Sequence, residues 1–340
     1  MEQHTQTSPP PQAVILQMAM SAMISQALGV AAKLGIADVL NDGPKTANEI
    51  ALATASHERS IYRILRALAS TGVFSEISEK TFQNTPLSEV IRADVPGSMQ
   101  SMIAFLGEPW HFAVWGNMLY SAQTGEVAFD RTLGDPIFAW FAKNEAESEL
   151  FNKAMTDMSS FAAPGIVQAY DFSGIKVLAD IAGGHGFLLS QILRANPALT
   201  GVLFDLGHVI DGAGEMLEGQ GVADRVETAT GDFFKEVPSA DAYIMKHIIH
   251  DWDDERAVLI MKNINRAMTG DGKLLLVEMV VPPGDESHPS KVLDLEMLTL
   301  PGGIERTEAE FASLFEQAGF RLNRVVPTPS PFSVIEAVKG

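Results

Sequence analysis

The sequence predicts an α/β chain in two parts. The C-terminal half reads as a doubly wound, mostly parallel sheet with an antiparallel last strand, and the N-terminal half as a mainly helical, winged-helix-like region. Three observations carry this. From Asp171 onward, short apolar runs alternate with helix-length stretches, as expected of strands covered by helices on both faces. Residues 44–90 read helix, helix, hairpin. The apolar run that opens at Val177 ends directly in the glycine turn Gly183, Gly184, Gly186, where a backbone can bend tightly and admit a ligand. The 340 residues suffice for two domains at roughly 150 residues each.

Taken in order, residues 1–12 are polar and proline-bearing, without periodicity, and read as a disordered tail. A Met- and Ala-rich helical region follows over residues 13–40. It is apolar nearly all round, which calls for burial on more than one side, either against a partner subunit or under its own domain. Thr46 and Glu49 form a capping box before a short helix. Ser56 opens a second helix with Ile61, Ile64, Leu65 and Leu68 on one face and Gly72 just past its end. Two β-like pieces, residues 73–77 and 81–84, complete a winged-helix pattern, so the N-terminal domain is placed at 13–100.

Residues 101–170 are helical and hold three of the four tryptophans, Trp110, Trp115 and Trp140. Most of their large side chains read as core. As a group, such flat side chains also make a wall for an aromatic substrate, and Trp110, Trp115, Phe141, Phe151 and Met155, with Met297 and Leu298 further on, are the candidates. The last domain spans 171–340. Its strands are expected at 175–181, 201–205, 225–229, 241–247, 273–281, 320–327 and 332–338. The final pair is joined by a short Pro-containing turn that requires one antiparallel strand.

Composition narrows the function. A net charge of −19 without a basic stripe argues against nucleic acid and against an anionic membrane surface. No apolar run approaches the ~20 residues of a membrane span, and no signal peptide is evident. The chain has no cysteine, hence no disulfide and no thiolate metal site, and a cytoplasmic location is expected. DNA reading by Arg59, Arg63 and Arg66 of the second winged-helix helix is opposed by the same charge balance.

Acids stand where a nucleoside would need them. Asp205 ends the second strand of the sheet, nineteen residues after Gly186, where a carboxylate can accept from two ribose hydroxyls. Gly231-Asp232-Phe233 follows the third, where Asp232 can take an adenine amine and Phe233 pack on the ring. The acidic lining suits a cationic adenosine ligand better than a pyrophosphate. Beyond the fourth strand comes Met245-Lys246-His247-Ile248-Ile249-His250-Asp251-Trp252, with two histidines three residues apart.

These stretches, together with Asp180-Ile181-Ala182-Gly183-Gly184-His185-Gly186, Phe204-Asp205-Leu206, Gly231-Asp232-Phe233-Phe234 and Pro301-Gly302-Gly303-Ile304-Glu305-Arg306-Thr307, resemble the class I S-adenosylmethionine-dependent O-methyltransferases of the plant caffeate/chalcone type and their bacterial relatives. The resemblance covers nearly the whole chain. It implies a Rossmann-like C-terminal domain and an N-terminal dimerisation domain. Asp180, Gly183, Gly184, Gly186, Asp205, Leu206, Asp232, Phe233, Lys246 and Trp252 would hold S-adenosylmethionine, with S-adenosylhomocysteine as product. His185 in the glycine turn, and Gly207 after the Asp-Leu pair, depart from the family pattern.

The resemblance also places His250 as general base toward a hydroxyl, oriented by Asp294 and Glu336, with His247 as scaffold. A neutral imidazole can take the proton of a phenol as attack on the methyl group proceeds. No metal is expected. The acceptor is expected to be a small aromatic or apolar metabolite and the assembly a homodimer through the N-terminal helices. Transfer to sulfur or nitrogen without an essential base, a cofactor-binding relative that no longer methylates, and a winged-helix regulator are the competing readings.

Overall fold

The structure is a computed structural model that describes residues 9–340. The chain divides between Phe112 and Ala113 into two compact units. Of the expected tail, residues 1–8 lie outside the described residues, and the first helix already starts at Pro11.

The first unit contains α1 (Pro11–Lys33), α2 (Ile36–Val39), β1 (Lys45–Thr46), α3 (Ala47–Ala53), α4 (Glu58–Ala69), β2 (Phe74–Ser78), β3 (Thr81–Asn84), α5 (Pro86–Glu89) and α6 (Gln100–Leu106). The capping box forms as read: Thr46 accepts from the Glu49 N–H, and the Glu49 carboxylate accepts from the Thr46 N–H at 2.7 Å. Ile61, Leu65 and Leu68 turn the apolar face of α4 inward, while β1, β3 and β2 form a small antiparallel sheet. α1 packs on α6 so closely that a Cβ on Gly29 would stand 2.7 Å from the Gly107 Cα.

The first half of α1 is not buried under its own unit. Ile15, Leu16, Met18, Met20 and Met23 are 48–67% exposed. The helix is also long and apolar enough to cross a membrane by length and composition. The sequence reading missed this because Gln12, Gln17, Ser21, Ser25 and Gln26 interrupt the apolar run. None of them carries a charge, and the first charged residue of the helix is Lys33.

Along the chain follow α7 (Pro109–Trp115), α8 (Met118–Thr124), α9 (Ala128–Leu133), α10 (Ile137–Phe141) and α11 (Glu145–Ala169). The sheet domain then runs β4 (Val177–Ile181), α12 (Phe187–Ala195), β5 (Thr200–Asp205), α13 (Gly207–Ile210), α14 (Ala213–Gly219), β6 (Val226–Thr230), β7 (Ala242–Lys246), α15 (Asp254–Ala267), β8 (Lys273–Glu278), α16 (Ser290–Thr299), α17 (Glu308–Gln317), β9 (Phe320–Pro327) and β10 (Ser333–Lys339). Strand order is β6-β5-β4-β7-β8-β10-β9. All neighbours are parallel except β10, which runs antiparallel to both β8 and β9.

Alternate residues of each central strand face opposite layers. Ala179, Ile181, Tyr243, Met245, Leu274 and Leu276 pack toward α15 and α17, and Leu178, Ile244, Leu275 and Val277 toward α11 and α12. Because the order reverses between β4 and β7, the loops after these two strands diverge and leave a crevice at their C-terminal ends, where ligands of such sheets bind.

Candidate active site

The crevice is a cavity of about 460 Å³ formed wholly by the second unit. One wall is the turn after β4. Ala182 and Gly184 take positive φ, and Gly183 has no room for a side chain, since a Cβ would lie 2.6 Å from both Asp180 Cγ and Leu203 Cδ1. The Gly184 N–H donates to Asp205 Oδ2 at 2.8 Å, tying the β4 turn to the end of β5, and Leu206 N–H donates to Oδ1 at 2.7 Å. Burial raises the Asp205 carboxyl from its ordinary range, and these backbone donors oppose the rise.

Beyond β6, Asp232 accepts from the Phe234 N–H at 2.9 Å, and Phe233 meets Trp252 edge-on. Trp252 also stacks on Phe138 of α10. The opposite wall comes from α10 and α11, where Phe141 and Phe151 stack at 4.8 Å beside Met155.

The floor is ionisable. Asp180 is 2% exposed, and burial pushes its carboxyl up to about 7. Burial lowers Lys246, opposed by Glu278, Asp180 and Asp251. Burial also pushes Asp251, which lines the cavity, up to about 7. His247 leaves β7 with φ 54° and lines the cavity too, and burial keeps its ring well below the ordinary histidine range.

His250 stands just behind this surface, 5% exposed and not among the lining residues. Its Nδ1 lies 2.5 Å from Glu305 Oε1, and its Nε2 lies 3.5 Å from Asp251 Oδ1. Burial pushes Glu305 up to about 8, with Asp294 adding and Arg306 opposing.

The loop after α16 clamps the turn that carries His250. Ile304 N–H donates to His250 O at 2.8 Å, and the buried Arg306 donates to Ile249 O at 3.0 Å and to Trp252 O at 2.8 Å. Gly303 permits the approach, since a Cβ there would fall 1.9 Å from His250 O.

The second unit carries the match to a family model described as the O-methyltransferase domain, over residues 115–321, and residues 16–94 match the O-methyltransferase dimerisation domain. This chain belongs to the S-adenosylmethionine-dependent O-methyltransferases. Among its relatives, the phenazine O-methyltransferase PhzM of Lysobacter antibioticus is 44% identical over 96% of both chains. The mitomycin biosynthesis 6-O-methyltransferase of Streptomyces lavendulae is 39% identical over 95% of this chain and 92% of that one. The crystal structure of LaPhzM superposes with a TM-score of 0.93 at 44% identity, covering 98% of this chain and all of the other.

The methyltransferase's cofactor is S-adenosylmethionine, and the cavity suits it. Asp180 Oδ2 and Trp252 Nε1 are buried without a partner. Gly184 leaves open space where a Cβ would stand. Asp205 and Asp232 present carboxylates to a cationic ligand rich in hydroxyl and amine donors.

Of the residues read from sequence as cofactor-binding, Asp180, Gly183, Gly184, Asp205, Leu206, Asp232, Phe233, Lys246 and Trp252 line this cavity. Gly186 does not. It caps α12 in the left-handed region, and a Cβ there would meet Leu203 and Leu217. Of the expected substrate wall, Phe141, Phe151 and Met155 line the cavity, whereas Trp115, Met297 and Leu298 do not; Trp115 donates to Glu296 at 2.6 Å. Trp110 belongs to the first unit, stacked on His111 and edge-on to Phe105.

The expected partners of His250 need correction. Glu336 pairs in register with Leu275, three positions down β8 from Glu278, about 10 Å toward the opposite edge of the sheet. There it is closed in by Tyr170, Asn323, Arg324 and Lys273. Burial alone would raise it, but these donors and charges bring it to about 2. Asp294 acts one step back, accepting from the Glu305 N–H at 2.8 Å. The residue in contact is Glu305, which sequence reading had quoted within a motif without giving it a role. Asp251 and Glu278 were missed as well.

His247, His250 and Glu278 approach one another closely enough for a cation by distance. His250 Nδ1 faces Glu305 and Glu278 Oε1 accepts from two backbone N–H groups, while His247 Nε2 and Glu278 Oε2 are buried without a hydrogen bond.

Proposed function

We propose that the enzyme methylates a phenolic hydroxyl on a flat, fused-ring metabolite, with His250 as the base. The observation that carries this reading is the Glu305–His250 pair. In its ionised form Glu305 accepts from Nδ1–H and selects the tautomer whose lone pair is on Nε2, the ring nitrogen nearest the cavity-lining Asp251.

S-adenosylmethionine, when bound, supplies an electrophilic methyl group on a sulfonium leaving group. Asp205 and Asp232 would hold its adenosine, and Asp180 and Lys246 the floor beside it. The remaining work belongs to the chain. Phe141, Phe151 and Met155 present flat apolar surface that orients a ring and excludes water. Nε2 takes the hydroxyl proton as the new bond forms. Glu305, fixed through Asp294, steadies the imidazolium that results.

The acceptor's ring system is inferred from the stacked wall together with the phenazine and mitomycin relatives, so a hydroxyphenazine is the first acceptor to test. Replacing His250 with Ala should cut turnover by about 10²–10⁴-fold while the S-adenosylmethionine Kd stays unchanged. Unaffected turnover would sink the base role and favour an acceptor that needs none.

We further infer a homodimer through the exposed apolar face of α1, since the dimerisation-domain match begins within that helix. A cytoplasmic location goes with it. Light scattering showing a monomer, or fractionation with membranes, would refute this assembly.

A further inference from the structure

Two imidazoles and a carboxylate meet beneath the cavity floor, at the turn after β7. His247 leaves the strand at φ 54°, and its ring lies tilted on that of His250, with centroids 4.4 Å apart. Glu278 is completely buried at the end of β8, and its Oε2 lies 3.8 Å from His250 Nδ1. One ligand atom from each of the three lies within 4.8 Å of the others.

Two atoms of this cluster have no partner. His247 Nε2 and Glu278 Oε2 are buried without a hydrogen bond. Such atoms are costly, and each calls for a water or an ion. A water would bridge them but bring no charge, and charge is what the place lacks. Asp251, Glu278 and Glu305 all stand close to His250. The Arg306 guanidinium donates to Ile249 O, Trp252 O and Asp254, and burial disfavours the charge of Lys246.

The donors also select the ion. Mg²⁺ and Ca²⁺ take oxygen ligands, whereas two imidazoles and a carboxylate suit Zn²⁺. Glu305 Oε1, 2.5 Å from His250 Nδ1, supplies a fourth donor, and two carboxylates match the double charge. The chain has no cysteine, so no thiolate site competes for the metal. Tetrahedral zinc holds its ligand atoms about 3.4 Å apart, so side-chain rotations of about an ångström close the cluster.

We propose that His247, His250 and Glu278, with Glu305 as fourth ligand, form a binding site for Zn²⁺ that switches methyl transfer off. The ion enters from the cavity, which His247 lines. On Nδ1 it replaces the contact with Glu305. A neutral ring metallated at one nitrogen carries its proton on the other. His250 Nε2 then has no lone pair for a hydroxyl proton. Binding stands by itself, and its effect on turnover rests on the reading of His250 as the base.

The probe is metal alone, added to full-length, cofactor-free enzyme. Co²⁺ should bind with the intense visible bands of a four-coordinate ion free of sulfur, and Zn²⁺ should bleach them. Saturating Zn²⁺ should cut methylation of a hydroxyphenazine by about 10²-fold or more, as removal of the base would, and a chelator should restore it. His247→Phe keeps a flat ring against His250 and Phe332 and removes the ligand. It should weaken Zn²⁺ binding by about a hundredfold or more, since even the partners behind metal ligands are worth about 10–100-fold. Its own turnover, at whatever level, should be insensitive to the Zn²⁺ that silences wild type. Glu278→Gln should weaken binding likewise, and it carries the test if the Phe variant does not fold.

Two outcomes overturn the proposal. Weak bands of six-coordinate Co²⁺ alone would leave the unpartnered atoms to a buried water. Variants that bind Zn²⁺ as tightly as wild type would move the ion to a surface histidine such as the exposed His208. Neither touches the base reading, which an inactive His250→Ala supports separately. Zn²⁺ that is lost in both variants yet leaves wild-type turnover unchanged keeps the site and removes the inhibition together with the base.

Discussion

Replacing Glu305 tests the site most directly, because its carboxylate makes the shortest polar contact of the base, 2.5 Å from His250 Nδ1. A hydrogen bond to a charged group contributes about 1.5–3 kcal/mol, against about 0.5–1.5 for a neutral one. The bond strengthens as the ring acquires charge, so its loss falls on the barrier to transfer. Glu305→Ala should then lower kcat by roughly 10- to 150-fold, at about 1.4 kcal/mol per factor of ten. Glu305→Gln, which keeps an acceptor, should lose about tenfold. The bond from the Glu305 N–H to Asp294 involves only backbone at position 305, so the loop keeps that anchor in both variants. The assay is single-turnover transfer of labelled methyl to a hydroxyphenazine, alongside calorimetric S-adenosylmethionine binding, which should not change. Glu336→Gln is the contrasting control. It sits among Tyr170, Asn323, Arg324 and Lys273 and should affect thermal stability without touching kcat. A Glu305→Ala enzyme within about twofold of wild type, or a Glu336→Gln enzyme as impaired as it, would refute the assignment.

Gly303→Ala would place a methyl group 1.9 Å from His250 O and 2.6 Å from the Asp251 carbonyl carbon, forcing the clamp off the turn. We expect a loss of about 1–3 kcal/mol in thermal unfolding and a fall in kcat of about 10²-fold, and a variant with wild-type values of both would contradict the clamp. Stability should also depend on pH in an unusual direction. Asp180, Asp251 and Glu278 at about 7 and Glu305 at about 8 are all raised above their ordinary values. Each binds its proton more tightly folded than unfolded. Their stabilising contribution is therefore complete below about pH 4 and is lost as pH rises through 7–8. Glu336, lowered to about 2, runs the other way and is lost only as pH falls toward that value. The Tm of cofactor-free enzyme should fall between about pH 4.5 and 8 and level off above, and Asp180→Asn should flatten the fall; a Tm that rises over that range would refute it.

The sheet was readable from sequence because its signals are local. Apolar runs such as Leu274 to Val277 are buried on both faces, glycines mark the turns, and Thr46 announces a helix start through a capping box that forms as read. That Asp180, Asp205 and Asp232 meet in one cavity was readable for the same reason, since each stands at or just beside the C-terminal end of a strand. The partners of His250 were not, because they depend on register and on loops meeting across the sheet. Glu336 is an acid on a central strand flanked by apolar residues, which signals burial and a partner but not which partner. Only the pairing of Ser333 with Glu278 shows that its side chain lies well down the strand from the base. Glu305 follows two glycines in a loop, and its role depends on Gly303 allowing that loop to lie directly on the His250 carbonyl.

The carboxyls that burial shifts cluster near the C-terminal ends of the central parallel strands. Asp180, Asp251, Glu278 and Glu305 lie within a region whose cations are the buried Arg306 and the half-buried Lys246, and the charge of Lys246 is itself disfavoured by desolvation. A core with that balance gives up stability near neutral pH. What restores the balance is positive charge that arrives from outside or is created in place. A sulfonium cofactor in the cavity that Asp180 and Asp251 line would bring one such charge, and any ligand that binds only the folded chain stabilises it by an amount that grows with the logarithm of its concentration over its Kd. On the proposed reaction a proton delivered to His250 would create the other, between Asp251 on one ring nitrogen and Glu305 and Glu278 on the other. The electrostatic deficit of the cofactor-free site therefore has the sign that methyl transfer requires. It favours a cation at the donor before reaction and a cation on the base after it.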